Sequence, residues 1–296
     1  MSREPHNYHE DITLFREALS FTQSETGFSA RLIEKDYYCS LLLQDLLATT
    51  SPQWAFKGGT CLSKVHSDFY RMSEDLDFAY SVPLEASRSQ RSKMAVSMKA
   101  HLAKLAQRLA CFTVVEPLRG FNNSTQYIGS LSYQSAVNAQ DEPIKVEFSI
   151  REPILEPVEY LPARTLLINP FRQTEAIAAV GVPALSCRET YCEKLRAALT
   201  RREPAIRDFY DIDHGVRSGR LRTDDPRVID LVCSKLAVPG NDPIDISDAK
   251  HQVLRRQVQS QLRPVLREAD YAAFDLDRAF GIVVQLAASL RQHRSG

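Results

Sequence analysis

Hydrophobic residues in the first fifty positions recur at helical spacing. Residues 10–22 and 31–48 predict two helices, and the second has a wide apolar face that includes Leu32, Leu42 and Leu46. The run Trp54-Ala55-Phe56 is short and apolar, which is typical of a buried strand. The chain therefore begins with a helical layer that leads into a sheet.

The middle of the chain alternates between helical and strand-like patterns. Residues 84–110 predict a long helical segment, and residues 112–115, 126–133 and 144–150 predict three strands. The segment 138–143 between the last two strands has the composition of a turn. A connector rich in proline follows, and it contains Pro153, Pro157, Pro162 and Pro170.

The second half of the chain is predicted to be mainly helical. Ser186-x-x-Glu189 is a capping box and predicts that a helix begins there, and Pro204 predicts the start of the next helix. Further helices are expected at 225–236, 247–266 and 269–291. The fold class predicted from this order is α/β (α+β), a mixed sheet followed by a helical C-terminal half.

Composition excludes several classes of protein. The 296 residues are 44% hydrophobic and 25% charged, which is ordinary for a globular chain. The six cysteines form no Cys-x-x-Cys pair, so a zinc site is not expected. Residues 1–12 are polar and no apolar run approaches the length of a membrane span, so we expect a reduced cytoplasmic protein with no membrane partner.

Charge is balanced overall but unevenly distributed. The formal net charge is zero, so nothing global indicates binding to nucleic acid. Residues 251–267 nevertheless contain Arg255, Arg256, Arg263 and Arg267 and no acidic residue. This segment favours a polyanionic partner, although a solvated helix face explains any single arginine equally well.

The strongest chemical signal joins a glycine turn to two carboxylates. Gly58-Gly59 lies between the predicted strand and a helix that starts at Thr60, where unpaired backbone N–H groups can receive an anion. Asp75 and Asp77 are two apart on the next predicted strand, so both side chains leave one face and can hold Mg²⁺. Either feature alone is weak, but their order within one strand–helix–strand unit indicates an active site.

Five ordered motifs carry a resemblance to a known family. They are Glu34-Lys35-Asp36-Tyr37, the Gly-Gly-Thr turn, Arg71-x-Ser73-x-Asp75-x-Asp77, Lys194, and Arg207-Asp208-x-x-Asp211. In this order the chain resembles the nucleotidyltransferases of the AbiEii/AbiGii toxin type, which include the MenT tRNA-modifying toxins and lie within the DNA polymerase β-like superfamily. The resemblance runs from about Glu34 to about Asp213.

The resemblance implies both an architecture and a set of site residues. It implies a polymerase β-like nucleotidyltransferase core with N-terminal helices at residues 1–170 and a helical domain at 171–296 that closes the nucleotide cleft. The implied catalytic residues are Asp75, Asp77, Lys194, Asp211 and Glu147, of which Asp75, Asp77 and Glu147 are the metal ligands. The implied nucleotide-binding residues are Lys57, Gly58, Gly59, Thr60, Ser63, Lys64, Arg71, Ser73 and Asp208.

Several of these assignments keep an alternative explanation. Asp75 and Asp77 are also explained as paired carboxylates at a surface strand end. Asp208 is also explained as the partner of Arg207 in a structural ion pair, and Asp211 as a residue that stabilises the fold. Within the site, the resemblance implies that Asp211 either steers Lys194 or contacts the nucleotide.

Glu147 lies on an alternating strand, where a solvent-facing glutamate is equally expected. Lys194 is also explained as a surface lysine, and Ser73 as a capping hydroxyl. The Glu34-Lys35-Asp36 motif has no role that the sequence explains.

The implied activity is transfer of NMP from an NTP to an acceptor, with Mg²⁺ or Mn²⁺ as cofactor. The acceptor implied by the resemblance is the 3′ end of tRNA, and the consequence is growth arrest within a toxin–antitoxin or phage-defence system. The partners are then an NTP, tRNA and a cognate antitoxin that acts without a stable complex. The alternatives are transfer to a small molecule such as an aminoglycoside, and a nucleotide-binding module without turnover.

Overall fold

Two compact units make up the chain. The computed structural model describes residues 7–48 and 53–295. The first unit holds Met1–Ile154 and Val158–Ala184, and the second holds Leu155–Pro157 and Leu185–Gly296.

The helices of the first unit match the helical patterns near the start of the sequence. Its α-helices in the described residues are α1 (Ile12–Thr26), α2 (Ala30–Ala48), α3 (Gly58–Cys61), α4 (Arg88–Met94), α5 (Val96–Ala103) and α6 (Leu105–Arg108). A 3-10 turn at Tyr8–Glu10 precedes α1, and another at Asn122–Ser124 lies between two strands. A π-helical turn at Leu62–His66 continues α3, so the helix predicted after the glycine turn is confirmed.

A seven-stranded mixed sheet forms the centre of the first unit. Its strands are β1 (Trp54–Lys57), β2 (Leu76–Tyr80), β3 (Thr113–Phe121), β4 (Gln126–Gln134), β5 (Asp141–Ser149), β6 (Glu159–Ala163) and β7 (Val180–Ala184). The strand order is β3-β4-β5-β2-β1-β7-β6. β2 and β5 are parallel, as are β1 and β7, whereas the other neighbouring pairs are antiparallel. The predicted mixed sheet is therefore confirmed.

An aromatic core fixes the three central strands. Phe78 of β2 stacks on Phe148 of β5 with ring centroids 4.8 Å apart, and it also contacts Trp54 and Phe56 of β1. All four rings are buried. Because side chains alternate along a strand, the odd-numbered residues of β2 and β5 point to the other face.

The second unit is helical in its described residues. Its helices are α7 (Cys187–Thr200), α8 (Ile206–Arg217), α9 (Pro226–Ala237), α10 (Asp248–Gln257), α11 (Glu268–Ala273) and α12 (Leu276–Ser295). A π-helical turn at Val258–Leu262 and a 3-10 turn at Arg263–Val265 follow α10. The predicted helical C-terminal half is confirmed.

The predicted start of α7 is correct, but its capping glutamate has other partners. Ser186 Oγ accepts a hydrogen bond from the Glu189 amide at 3.0 Å. The Glu189 carboxylate accepts from the Leu155 and Glu156 amides and pairs with the Lys235 ammonium at 2.9 Å. Glu189 therefore ties residues 155 and 156 to the start of α7 and, through Lys235, to α9.

Several parts of the chain differ from the sequence-based expectation, among them the single helix expected at 269–291, which is two helices, α11 and α12. The single helical segment expected at 84–110 is three short helices, α4 to α6. The proline-rich connector contains β6 and β7, which pair with each other and, through β7, with β1. These strands are stabilised by pairing with distant residues, which explains why no local pattern predicted them.

Candidate active site

The glycine turn between β1 and α3 is packed against charged side chains. Gly58 has φ +76°, a left-handed conformation that other residues adopt only with strain. A Cβ atom on Gly58 would overlap Asp77 Oδ2, and one on Gly59 would overlap Arg71 Nη2. A Cβ atom on Gly59 would also lie 3.0 Å from Ser73 Oγ. Both glycines therefore allow a close approach, one to a carboxylate and the other to a guanidinium.

Two hydroxyls connect the helix after this turn to the segment that leads into β2. Thr60 Oγ1 donates to the Asp75 carbonyl, and Ser63 Oγ donates to the Arg71 carbonyl at 2.5 Å. Arg71 is buried and its Nη1 donates to the Met72 carbonyl at 2.9 Å. These bonds set the position of the turn relative to the carboxylates, and the predicted nucleotide contacts of Thr60 and Ser63 stay predictions.

Lys64 lies in the interior of the first unit. Its side chain is 1% exposed, and its ammonium lies 2.5 Å from Asp36 Oδ1 and 2.8 Å from Ser40 Oγ. Both partners belong to α2. These contacts connect the helical segment after the glycine turn to α2. The predicted contact of Lys64 with phosphate stays a prediction.

Asp77 and Glu147 are neighbours across the sheet. They pair in register between the parallel strands β2 and β5, and Lys57 of β1 pairs with Asp77 from the other side. Burial raises the pKa of Asp77 to about 6, and the charge of Glu147 adds to this while Lys57 and Lys145 oppose it. Burial and the neighbouring Glu147 thus disfavour the charged form of Asp77, and a bound cation would stabilise that charged form.

Two residues that the sequence analysis missed hold Glu147. Gln126 Nε2 donates to Glu147 Oε1 at 2.7 Å, and Lys145 Nζ lies 3.1 Å from Glu147 Oε2. Burial by itself would lower the pKa of Lys145, but the charges of Glu147, Asp77 and Asp75 raise it above its usual value. The strict alternation along β5 could have identified Lys145 from the sequence, because it places Lys145 and Glu147 on one face of the strand.

The donor set suits a hard divalent ion, although it is not a preformed cage. Within residues 7–48 and 53–295, no group of three or more His, Cys, Asp or Glu side chains has the arrangement of a metal centre. Asp75 and Asp77 supply the carboxylate oxygens that Mg²⁺ prefers, and Mg²⁺ usually takes its other ligands from water and substrate phosphates. The residues therefore fit the metal, and the role of Glu147 as third ligand stays a prediction.

The second unit brings Lys194 together with both predicted aspartates. Lys194 Nζ lies 2.7 Å from Asp208 Oδ1 and 3.0 Å from Asp211 Oδ2. Asp208 also pairs with Arg201 at 3.0 Å. Arg196, two residues after Lys194, instead donates to Asn241 at 3.2 Å. Asp208 and Asp211 thus fix the position of the Lys194 ammonium, which is 14% exposed as a side chain.

Comparison with known proteins adds a family assignment to this geometry. Residues 41–282 match the family model described as "Nucleotidyl transferase AbiEii toxin, Type IV TA system". The chain belongs to the AbiEii family. A search of curated proteins gave no match.

Solved structures give distant matches. A "putative nucleotidyltransferase" from H. pylori is 15% identical, with a TM-score of 0.43, over 89% of this chain and 92% of that chain. JHP933 from Helicobacter pylori is 14% identical, with a TM-score of 0.42, over 90% of this chain and 91% of that chain.

AbiEii membership defines the class of activity. The protein is a nucleotidyltransferase toxin of a type IV toxin–antitoxin system, which implies an NTP substrate and an antitoxin. In the described part of the chain, every helix is too short or too polar to cross a membrane.

The arginine-rich segment of this AbiEii protein is largely paired with acids from later helices. Arg255 lies 3.5 Å from Asp277. Arg263 lies 3.5 Å from Glu268, and Arg267 lies 2.5 Å from Asp270. The sequence segment contains no acid, but α11 and α12 bring acids to it. The charge available to a polyanion is therefore smaller than the sequence alone indicated.

Proposed function

We propose that this AbiEii protein transfers NMP from an NTP to the 3′-terminal hydroxyl of tRNA, which blocks aminoacylation and arrests growth. The observation that carries the proposal is the packing of Gly58 against Asp77 and of Gly59 against Arg71. This packing places a backbone turn, a carboxylate and a guanidinium in contact. Phosphoryl chemistry uses such a combination, because the turn and the cation bind phosphate while the carboxylate binds its metal.

In the proposed reaction the acceptor oxygen attacks the α-phosphorus, the bond to the β-phosphate breaks, and pyrophosphate leaves. Asp75 and Asp77 would hold Mg²⁺, with Mn²⁺ as the alternative, and the bound ion would supply positive charge to the phosphate oxygens. Glu147, positioned by Gln126 and Lys145, accepts the proton of the attacking hydroxyl.

Lys194 is the proposed triphosphate ligand of the second unit. Two carboxylates hold its ammonium from the side of α8, and an ammonium can form further hydrogen bonds to phosphate oxygens. Asp211 therefore acts by positioning Lys194, as does Asp208. The alternative role for either aspartate is direct contact with the nucleotide. The observed ion pairs with Lys194 favour the positioning role.

The tRNA acceptor rests on the resemblance to tRNA-modifying toxins. The arginine pairs described above weaken the charge argument for a large polyanion, so a small-molecule acceptor such as an aminoglycoside is the second candidate. The cytoplasm, where NTP and tRNA are present, is the proposed compartment. The antitoxin is proposed to act without a stable complex.

The test is incubation with total tRNA and each α-labelled NTP in turn, with Mg²⁺ or with chelator. Label should enter tRNA with at least one NTP and only with the metal. Periodate-oxidised tRNA is the matched control, because it lacks the 3′-terminal diol and should accept no label. Absence of label with every NTP would contradict the tRNA acceptor, and label on an aminoglycoside would establish the second candidate.

A further inference from the structure

Helix α2 carries three consecutive charged residues in the protein interior. Glu34, Lys35 and Asp36 are 0%, 4% and 3% exposed. Buried charges are unfavourable unless they are paired, and a buried pair is seldom more stabilising than apolar residues of the same size. The motif therefore needs an explanation other than stability, and its partners supply one.

Lys35 and Arg31 share one face of α2. Both contact Glu74, which lies two residues before β2, and Glu142, which lies near the start of β5. Arg31 binds Glu142 of β5 at 2.8 Å and Glu74 at 3.0 Å. The Lys35 ammonium lies 3.4 Å from Glu74 and 3.5 Å from Glu142. Glu74 directly precedes Asp75 in the sequence. These four charges tie the start of β2 to β5, the two strands that bring Asp77 and Glu147 side by side.

Asp36 contacts the helix that follows the glycine turn. Its Oδ1 lies 2.5 Å from the Lys64 ammonium, and its Oδ2 accepts from the Leu166 amide at 2.8 Å. Lys64 lies in the helical segment that begins at Gly58. Asp36 thus anchors that helix to α2 on the side away from solvent.

We propose that Lys35 and Asp36 are positioning residues for the transfer reaction. Lys35, with Arg31, sets the position of Asp75 and Asp77 through Glu74, and Asp36 sets the glycine turn through Lys64. This inference rests on the proposed metal role of the two aspartates and the phosphate role of the turn. Residues that orient metal ligands in this way change metal affinity or activity by about 10- to 100-fold when they are removed.

Glu34 provides a matched control within the same motif. Its carboxylate accepts from Ser135 Oγ at 2.5 Å and from the Ala136 amide at 2.6 Å. Both partners lie between β4 and β5, away from Glu74 and Lys64 in the sequence. A Glu34→Gln variant therefore perturbs a buried charge of α2 whose hydrogen bonds involve neither Glu74 nor Lys64, while the charges of Arg31 and Glu142 still act on the residue at this position.

The experiment compares Lys35→Met, Asp36→Asn and Glu34→Gln by three measurements. Mn²⁺ binding is measured by electron paramagnetic resonance without nucleotide, NTP binding is measured in chelator, and unfolding is measured with urea. Lys35→Met should weaken Mn²⁺ binding by about 10- to 100-fold, and Asp36→Asn should weaken NTP binding. Glu34→Gln should change the unfolding midpoint and should weaken Mn²⁺ and NTP binding far less than the other two variants.

Two further variants keep the test informative where a buried substitution prevents folding. The Arg31 side chain is 42% exposed, so Arg31→Gln should fold and should show the same loss of Mn²⁺ binding. Lys35→Arg keeps the charge and should recover most of the affinity.

The inference is overturned if folded Lys35→Met, Arg31→Gln and Asp36→Asn bind Mn²⁺ and NTP like the wild type. That result would leave the proposed function intact, because the wild type would still bind both. A wild type that binds no Mn²⁺ and transfers no NMP to any acceptor would instead refute the proposed function, and the inference with it.

Discussion

Substituting Gly58 by alanine should damage the site far more than the same change at Gly219. Both glycines have a positive φ, +76° for Gly58 and +71° for Gly219. A Cβ at Gly219 meets nothing within 4 Å, whereas a Cβ at Gly58 overlaps Asp77 Oδ2 and lies 3.0 Å from Asp77 Cβ. The pair therefore separates backbone strain from displacement of the carboxylate.

The expected magnitudes follow from these contacts. Left-handed strain costs about 1–2 kcal/mol for a residue with a side chain, which is the whole effect expected for Gly219→Ala. Overpacking against Asp77 adds about 1–3 kcal/mol for Gly58→Ala, because the Asp77 Cβ is fixed by the strand and cannot swing away. A shift of a reacting group by about 1 Å can lower the rate on the order of 100-fold.

Urea denaturation and single-turnover NMP transfer, expressed per folded molecule, measure the two effects. Gly219→Ala should lose stability and keep its transfer rate, whereas Gly58→Ala should lose both. Equal destabilisation with full transfer in both variants would refute the contact between Gly58 and Asp77 as a determinant of the site.

Three further predictions concern Lys194, Glu34 and the arginine segment. Lys194→Ala should raise the KM for NTP while Arg196→Ala leaves it unchanged, in steady-state transfer assays; equal effects would indicate a diffuse basic face instead. Burial raises the pKa of the Glu34 carboxyl. The stabilisation that the protonated carboxyl gives the folded state is therefore complete below the pKa of the unfolded chain, and it is lost as pH rises through the pKa of the folded state. The difference in unfolding free energy between wild type and Glu34→Gln, from urea titrations at several pH values, should thus shrink with rising pH, and a growing difference would contradict the assignment. Neutralising Arg255 and Arg256 together should flatten the dependence of log tRNA affinity on log salt by about 0.7–0.9 per lost phosphate contact, while an unchanged slope would place the tRNA elsewhere.

Elements with a strong local signal were predicted well from the sequence. The start of α7 follows from Ser186, whose hydroxyl needs only the amide three residues later. The helix α2 and the strand β5 follow from apolar spacing along their own length. β6 and β7 were missed because Pro162 and Pro183 lie inside them, and their stabilisation comes from strands far away in sequence.

Within the candidate site, some residues could likewise be predicted from local sequence spacing and some contacts could not. The glycine turn and Asp77 could be predicted because spacing along one strand–helix–strand unit places them together. The contact of Lys64 with Asp36 could not be predicted, because Asp36 is 28 residues away and belongs to another helix, α2. The arginine pairs with α11 and α12 were missed for a different reason: the charge count ended at residue 267, whereas Glu268 and Asp270 follow directly and Asp277 lies ten residues further on.

The central claim is that the carboxylates of β2 support transfer of NMP to a tRNA 3′ end. Mass spectrometry of the 3′-terminal tRNA fragment, with pyrophosphate measured in the same reaction, tests it most directly. The wild type should add the mass of one or more NMP residues and release one pyrophosphate for each, whereas Asp77→Asn, with an unfolding midpoint near that of the wild type, should do neither. An unmodified tRNA 3′ end with the wild type, or full modification by Asp77→Asn, would contradict the claim.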